Sequence, residues 1–149
     1  MPDPRPRLDQ INLVSVDVPA SVEFYRLLGV DVPDVSDGGW GAHHLSAASS
    51  DSESGIDLDI DSVGFAAYWG SPEVPPGPVL GFRLASREAV DELYERLTTA
   101  GHPGVRAPYN AFFGVRFAIV SDPGGTSIAL MSEPSEQYRS APPAPAEFE

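Results

Sequence analysis

The stretch Phe112–Ser132, FFGVRFAIVSDPGGTSIALMS, decides the fold of this chain. Large apolar residues occupy every second position over 115–119, which is the period of a half-buried β-strand. The sequence Asp-Pro-Gly-Gly at 122–125 predicts a turn, because proline fixes one backbone angle and glycine adopts positive φ without steric cost. Alternation resumes over 127–131, so the stretch predicts a β-hairpin.

The composition restricts the class of protein. The chain has 149 residues, 42% of them hydrophobic, which suits one domain or two small modules that share a core. No apolar run approaches the ~20 residues of a membrane helix, and the start MPDPRPRLDQ has no signal segment, so we expect a cytoplasmic protein without a membrane partner. Cysteine and lysine are absent from the sequence, which excludes disulfides, thiolate metal sites and a Schiff-base lysine.

The chain carries a formal net charge of −13. A nucleic-acid partner is disfavoured, because phosphate binding needs a basic face. The charge has two remaining interpretations. It provides solubility, or it marks a cleft that attracts cationic ligands.

The order of elements repeats along the chain. A strand, a capping residue, an amphipathic helix and a terminating glycine occur at 11–29 and again at 80–101. The two caps, Asp17 and Ser86, are 69 positions apart, as 86 − 17 shows. This spacing predicts two copies of a β-α-β-β-β unit. Module one covers about 8–62, a linker 63–78 and module two about 79–132. The Pro-, Glu- and Ala-rich residues 133–149 are predicted to be disordered or to lie along the surface.

Two motifs resemble one known family. The hairpin pattern FG-x-R with DPGG and a final apolar strand, and the segment DVPASVEFYRLLG at 17–29, are similar to the glyoxalase / bleomycin-resistance / extradiol-dioxygenase superfamily, also called vicinal oxygen chelate. The resemblance implies an α+β fold in which tandem modules form a cup-shaped mixed sheet, with helices on the convex side. It also implies a homodimer.

The same resemblance gives the positions of the metal ligands in the family's metal enzymes. They correspond here to Gln10, Val79 and Ala129, together with a carboxylate near Asp57 or Asp59. A divalent metal needs three or four converging N, O or S donors, and valine and alanine offer none. We therefore expect no metal and no other cofactor. The sequence argues against glyoxalase I, extradiol dioxygenase and fosfomycin-transferase activities by the family's metal mechanism.

Strand alternation identifies candidate residues inside the cup. Ile56, Leu58 and Ile60 are expected to face the helices, which directs the intervening aspartates the other way. The predicted ligand-binding residues are Gln10, Asn12, Trp40, His44, Asp57, Asp59, Arg83, Tyr109, Phe113 and Arg116. Each has a simpler interpretation. The aspartates could form a solvated strand face, with the arginines paired to them. His44 could be an ordinary surface histidine, and the aromatic residues could serve packing.

Three functions remain open at this point. The first is a small-molecule-binding protein that sequesters an aromatic or cationic natural product in its acidic, aromatic groove. The second is a metal-independent lyase, isomerase or cyclase, with His44 and Asp57 or Asp59 as acid–base groups and Arg83 or Arg116 as anion stabilisers. The third is a non-catalytic structural homodimer.

Overall fold

The computed structural model describes residues 5–32, 40–47 and 55–148. The chain divides into two compact units. The first unit is Asp9–Val79 together with Pro143–Glu149, and the second unit is Leu80–Pro142 together with Met1–Leu8. Most of the segment 30–39, for which the sequence predicts turns with one short extended piece at most, lies outside the described residues.

The first unit contains three described strands and two helices. They are β1 (Arg7–Ser15), α1 (Val18–Leu28), β2 (His44–Ser46), β3 (Asp57–Ser62) and α2 (Val63–Trp69). The strand order is β2-β3-β1, with β1 parallel to β3 and β2 antiparallel to it. Two 3-10 turns, Trp40–Ala42 and Pro145–Phe148, complete the unit.

Helix α1 forms where the sequence predicts it. The Asp17 side chain accepts a hydrogen bond from the Ala20 backbone N–H at 3.1 Å, and Gly29 ends the helix with φ 109°. Val18 and Val22 are the buried residues of α1, and they form a hydrophobic core with Leu45 and Ile60 of the strands. This core fixes one face of β1–β3 against α1 and leaves the opposite face for polar residues.

The second unit has the order β-α-β-β-β expected for a module. Its elements are β4 (Gly77–Arg83), α3 (Arg87–Thr99), β5 (Gly104–Asn110), β6 (Arg116–Ser121) and β7 (Ser127–Met131), with strand order β4-β7-β6-β5. Ser86 caps α3 through the Ala89 N–H at 3.0 Å. Leu84, Val90, Ala118 and Leu130 form the buried core between α3 and the strands. The α+β class is confirmed.

The predicted hairpin is confirmed as β6 and β7. The strands pair antiparallel from Phe117 with Met131 to Ser121 with Ser127. Asp122 Oδ1 accepts hydrogen bonds from the N–H groups of Gly124 at 2.8 Å and Thr126 at 2.9 Å. The turn is therefore closed by one of its own side chains.

By sequence, residues 40–46 could form a strand, but the segment around Trp40 does not. Trp40–Ala42 is a 3-10 turn, closed by a hydrogen bond from the His43 N–H to the Trp40 carbonyl at 2.8 Å, and strand β2 begins only at His44. Gly41 has no side chain to pack in a strand, so the tight turn is the favoured alternative. None of the described helices has the length and apolarity needed to cross a membrane.

Candidate functional site

The face of β1–β3 opposite α1 carries a row of polar side chains. Strict alternation in β3 directs Leu58 and Ile60 to α1, so Asp59 and Asp61 lie on the other face. The register places Asn12 beside Asp59 and His44 beside Asp61. We call this row, which consists of Gln10, Asn12, His44, Asp59 and Asp61, the polar face.

Asp61 is the centre of the polar face. Its side chain is 2% exposed. One carboxylate oxygen, Oδ2, accepts from Asn12 Nδ2 and Trp69 Nε1, both at 2.9 Å, and the other, Oδ1, lies 2.5 Å from His44 Nδ1. Because a buried carboxylate needs hydrogen-bond partners, these three groups together make its burial possible. Asp61 was absent from the predicted ligand-binding set.

His44 is held on one side and open on the other. Its side chain is 38% exposed. Phe65 of α2 contacts the ring edge-to-face, with centroids 5.6 Å apart. Burial acts to lower the pKa of His44, but the hydrogen bond and charge of Asp61, with the charge of Asp59, outweigh it and raise that pKa above its usual 6.5. The imidazole is thus oriented through Nδ1 by a buried carboxylate.

Asp59 is a second carboxyl group beside this pair. Burial is the main cause that raises the pKa of Asp59 from 3.8 to about 6, and the charges of Asp61 and Asp57 add to it. His44 and a hydrogen bond from Ser46 act in the opposite direction. The Gln10 amide also donates a short hydrogen bond to Asp59 Oδ2. The polar face therefore contains two groups with raised pKa values, Asp59 at about 6 and His44 above its usual 6.5.

A buried polar atom of this face lacks a hydrogen-bond partner among the described residues. Asn12 Oδ1 is buried and forms no hydrogen bond within the described part of the chain, although its Nδ2 is bonded to Asp61. Leaving a buried acceptor unpaired costs about 1–3 kcal/mol. A bound molecule with a suitable donor would satisfy it.

Aromatic rings pack next to the polar face. The rings of Trp40, His43, Phe65 and Tyr68 form what we call the aromatic cluster. Phe148 lies among these four rings, with centroid distances of 5.0 Å to Phe65, 5.5 Å to Tyr68, and 5.7 Å to each of Trp40 and His43. Trp40 and Phe65 contact both Phe148 and His44, so the cluster is continuous with the polar face.

The predicted site residues Tyr109, Phe113 and Arg116 of the second unit do not share one face of its strands. Tyr109 and Phe113 both contact the Phe117 ring, at 5.9 and 6.0 Å, on the face opposite α3. The prediction that Arg116 shares that face is wrong. Arg116 Nε and Nη2 donate to both carboxylate oxygens of Asp91 on α3, at 2.9 and 3.3 Å. The faces of β6 could not be assigned from the sequence because residues 117–120 are all apolar and all buried.

The position of Arg83 on β4 is what still supports it as a ligand-binding residue. Its Nη1 donates to the Ser132 carbonyl at 2.5 Å. Its predicted place on the face opposite the helix agrees with Leu84, the next residue, which packs in the α3 core.

The residues at the family's ligand positions do not fit a metal ion. Gln10 is bonded to Asp59, while Val79 and Ala129 are buried apolar residues without donor atoms. Within 5–32, 40–47 and 55–148, no three His, Asp or Glu side chains converge in a way that could hold a metal.

Comparisons with known proteins give one family and one fold. A model of the Glyoxalase/Bleomycin resistance protein/Dioxygenase superfamily matches residues 7–130. A superfamily member from Vibrio splendidus 12B01 has 13% identity and a TM-score of 0.55, covering 87% of this chain and 100% of that chain. A protein from Legionella pneumophila, described as an NAD-dependent benzaldehyde dehydrogenase, has 18% identity and a TM-score of 0.58, with coverages of 83% and 96%.

A variant of homoprotocatechuate 2,3-dioxygenase from B. fuscum also shares the fold. It has 16% identity and a TM-score of 0.56, and the match covers 87% of this chain and 34% of the dioxygenase. No curated protein matches the sequence. At these identities the structural likeness establishes the fold alone.

Proposed function

Because this chain belongs to the glyoxalase/bleomycin resistance protein/dioxygenase superfamily, we propose that it binds a small organic molecule at its polar face without a resident metal. The observation that carries the proposal is the proximity of Asp59 and His44, whose pKa values are both raised, on one face of the sheet beside Trp40. Clusters of perturbed groups of this kind are typical of ligand sites. The unpaired Asn12 Oδ1 supports the same location.

The chemistry of the polar face favours a cationic ligand with an aromatic part. Asp59 and Asp61 lie on this face with one histidine, so the negative groups outnumber the positive ones above the pKa of Asp59. Trp40 is the aromatic surface next to them. A cation over an aromatic ring contributes about 0.5–2 kcal/mol, and stacking contributes a similar amount. A few such contacts, less the cost of immobilising the ligand, correspond to micromolar affinity.

The test uses a cation and its neutral analogue on metal-free protein. The 1-naphthylmethylammonium ion and 1-naphthol are titrated after treatment with EDTA, with tryptophan fluorescence as the signal. Asp59→Asn should weaken the cation about tenfold and leave 1-naphthol nearly unchanged, because the substitution removes a charge and keeps the shape. Glu23→Gln, which removes a charge from the exposed face of α1, is the matched control. Equal affinity of wild type and Asp59→Asn for the cation would contradict the proposal.

The His44–Asp61 pair favours a second candidate, a metal-independent lyase, isomerase or cyclase. Asp61 accepts from Nδ1 and fixes the ring, which makes Nε2 the proton-accepting nitrogen of the neutral imidazole. Asp59, with its pKa of about 6, would be the second acid–base group. In this reaction class Nε2 removes a proton from carbon next to a carbonyl or similar group, and Asp59 returns a proton elsewhere. Arg116 cannot stabilise the anion from its position against Asp91.

The binding protein and the acid–base enzyme differ in the expected effect of replacing His44. Proton abstraction is followed by NMR as deuterium incorporation at acidic C–H positions of aromatic ketones in D₂O. His44→Gln should abolish exchange and preserve binding if the protein is an acid–base enzyme. If the protein only sequesters its ligand, wild type gives no exchange either, and the substitution changes affinity alone.

A homodimeric state and a cytoplasmic location are also proposals. The α1 residues Phe24, Leu27 and Leu28 are 59%, 83% and 66% exposed, which supports an association through this helix. The location rests on the composition of the sequence alone.

A further inference from the structure

We propose that the aromatic cluster is the binding site for the aromatic ring of the ligand, and that Phe148 occupies this site in the ligand-free protein. The proposal rests on the function proposed above and specifies its ligand as a ring that bears a hydrogen-bonding group. Binding of the ligand then displaces the segment Pro143–Phe148 from the cluster.

The position of Phe148 shows what the cluster accepts. Its ring contacts four other rings at 5.0–5.7 Å, in tilted or edge-to-face geometry. These are the distances and orientations that aromatic pairs prefer. Two of those rings, Trp40 and Phe65, also contact His44. A ligand ring in place of Phe148 would therefore lie next to the polar face and could present a cationic or polar group to it.

The backbone of the segment also docks closely. A Cβ atom on Gly64 of α2 would lie 2.6 Å from the Phe148 carbonyl oxygen and 3.2 Å from its Cβ. Such a separation is shorter than any ordinary contact, so only glycine at position 64 allows the segment to rest on α2 in this way. The contact depends on Gly64 and involves no residue of the polar face.

His43 provides a second and independent indication of a ligand. It is 5% exposed, and its ring contacts Phe148. Nδ1 is hydrogen-bonded to Ser62 Oγ at 3.0 Å, but Nε2 is buried with no partner among the described residues. An unpaired buried ring nitrogen is costly, and phenylalanine cannot satisfy it. A phenol or an aryl carbonyl in the place of Phe148 could form a hydrogen bond with His43 Nε2. The expected ligand is therefore an aromatic ring that carries such a group.

The segment is suited to exchange because it is short and partly satisfies itself. Its 3-10 turn forms a local hydrogen bond from the Glu147 N–H to the Ala144 carbonyl at 3.0 Å, and Glu147 Oε2 accepts from the Ala144 N–H at 2.8 Å. Burial of one phenylalanine side chain favours the docked state by roughly 10- to 100-fold before ordering costs. The apparent affinity of a competing ring is therefore lowered in proportion to the fraction of molecules in which the segment is undocked.

The experiment compares two variants that release the segment by different means. Phe148→Ala removes the competing ring. Gly64→Ala displaces the segment and leaves Phe148 intact, and it should not weaken α2 because alanine favours a helix more than glycine does. Tyr138→Ala is the matched control, since it removes an aromatic ring that stacks under Arg87 in the second unit. The probe is 1-naphthol, with its dissociation constant measured by fluorescence and the Trp40 and Trp69 indole N–H signals followed by NMR. Thermal melts confirm that each variant is folded.

We expect 1-naphthol to bind both Phe148→Ala and Gly64→Ala about tenfold more tightly than wild type, and Tyr138→Ala like wild type. In wild type, saturating 1-naphthol should shift the Trp40 indole signal towards its position in Phe148→Ala. Affinity unchanged in both release variants, or no binding of 1-naphthol to any of the proteins, would overturn the inference. The function proposed above is tested separately by the Asp59-dependent binding of the 1-naphthylmethylammonium ion, so a failure of that function and a failure of this inference give different results.

Discussion

Replacement of Asp59 by Asn should change how the stability of the protein depends on pH. The pKa of Asp59 is raised from 3.8 to about 6, chiefly by burial. At ~1.4 kcal/mol for each tenfold change in proton affinity, the shift corresponds to about 3 kcal/mol. Because Asp59 is partly exposed and its charge also attracts protonated His44, we expect about 1–3 kcal/mol to be observed.

The direction follows from proton linkage. Between pH 3.8 and about 6 the folded protein retains a proton that the unfolded chain has lost. The stabilisation by Asp59 is therefore complete below its unfolded pKa and is lost as the pH rises through its folded pKa. Asn is neutral at every pH and keeps the shape and the hydrogen bond from Gln10. Relative to wild type, Asp59→Asn should thus be about equally stable near pH 4 and more stable near pH 7.5.

The assay is urea unfolding of both proteins at several pH values, followed by tryptophan fluorescence. The difference between the two free energies of unfolding is the quantity of interest, since it cancels the titration of the other carboxyl groups. Asp57→Asn, at an exposed position two residues earlier on β3, is the control and should change the stability by less, because water screens the charge at that position. If the difference in free energy of unfolding between Asp59→Asn and wild type stays constant within ~0.5 kcal/mol from pH 4 to 7.5, the raised pKa of Asp59 is refuted.

Two further predictions concern the core and the assembly. Leu130→Ala empties a site that is 2% exposed in the α3 core and should cost about 2–5 kcal/mol in the same urea assay. Val16→Ala, at a site that is 80% exposed and outside the α1 surface, should cost under ~0.5 kcal/mol; similar losses in both would show that the core is wrongly identified. Light scattering should give about twice the 15.9 kDa of one chain, and Leu27→Glu should reduce the mass to that of one chain; a wild-type mass of one chain at micromolar concentration would contradict the homodimer.

The faces of the strands were predictable only where polar and apolar residues alternate strictly. In β3 every second residue over 57–61 is an aspartate, so periodicity alone assigns Asp59 to the polar face. In β6 both faces are buried, and Arg116 is the only polar residue before Ser121. The direction of Arg116 is decided by its ion pair with Asp91, a contact across 25 residues that periodicity cannot reveal.

The roles of Asp61 and Phe148 depend on tertiary contacts that could not be predicted from the sequence pattern. Asp61 becomes the buried centre of the site because Trp69, on a short helix in the predicted linker, reaches back to it. Phe148 lies in a Pro- and Glu-rich stretch whose composition indicates disorder, yet one aromatic side chain suffices to hold the turn against Phe65. An isolated aromatic residue in a polar stretch is the signal that could have been used.

The parallel pairing of β1 with β3 has a consequence for synthesis on the ribosome. Gln10 pairs with Asp57, so β1 must wait for 47 further residues, whereas β6 and β7 are joined by a turn that Asp122 closes locally. At about 5–20 residues per second, β1 spends roughly 2–10 s without that partner, while a hairpin such as β6–β7 closes within about 10 μs of its release. The half of the protein that is made first is therefore the half that stays longest exposed to chaperones and to pairing with other nascent chains.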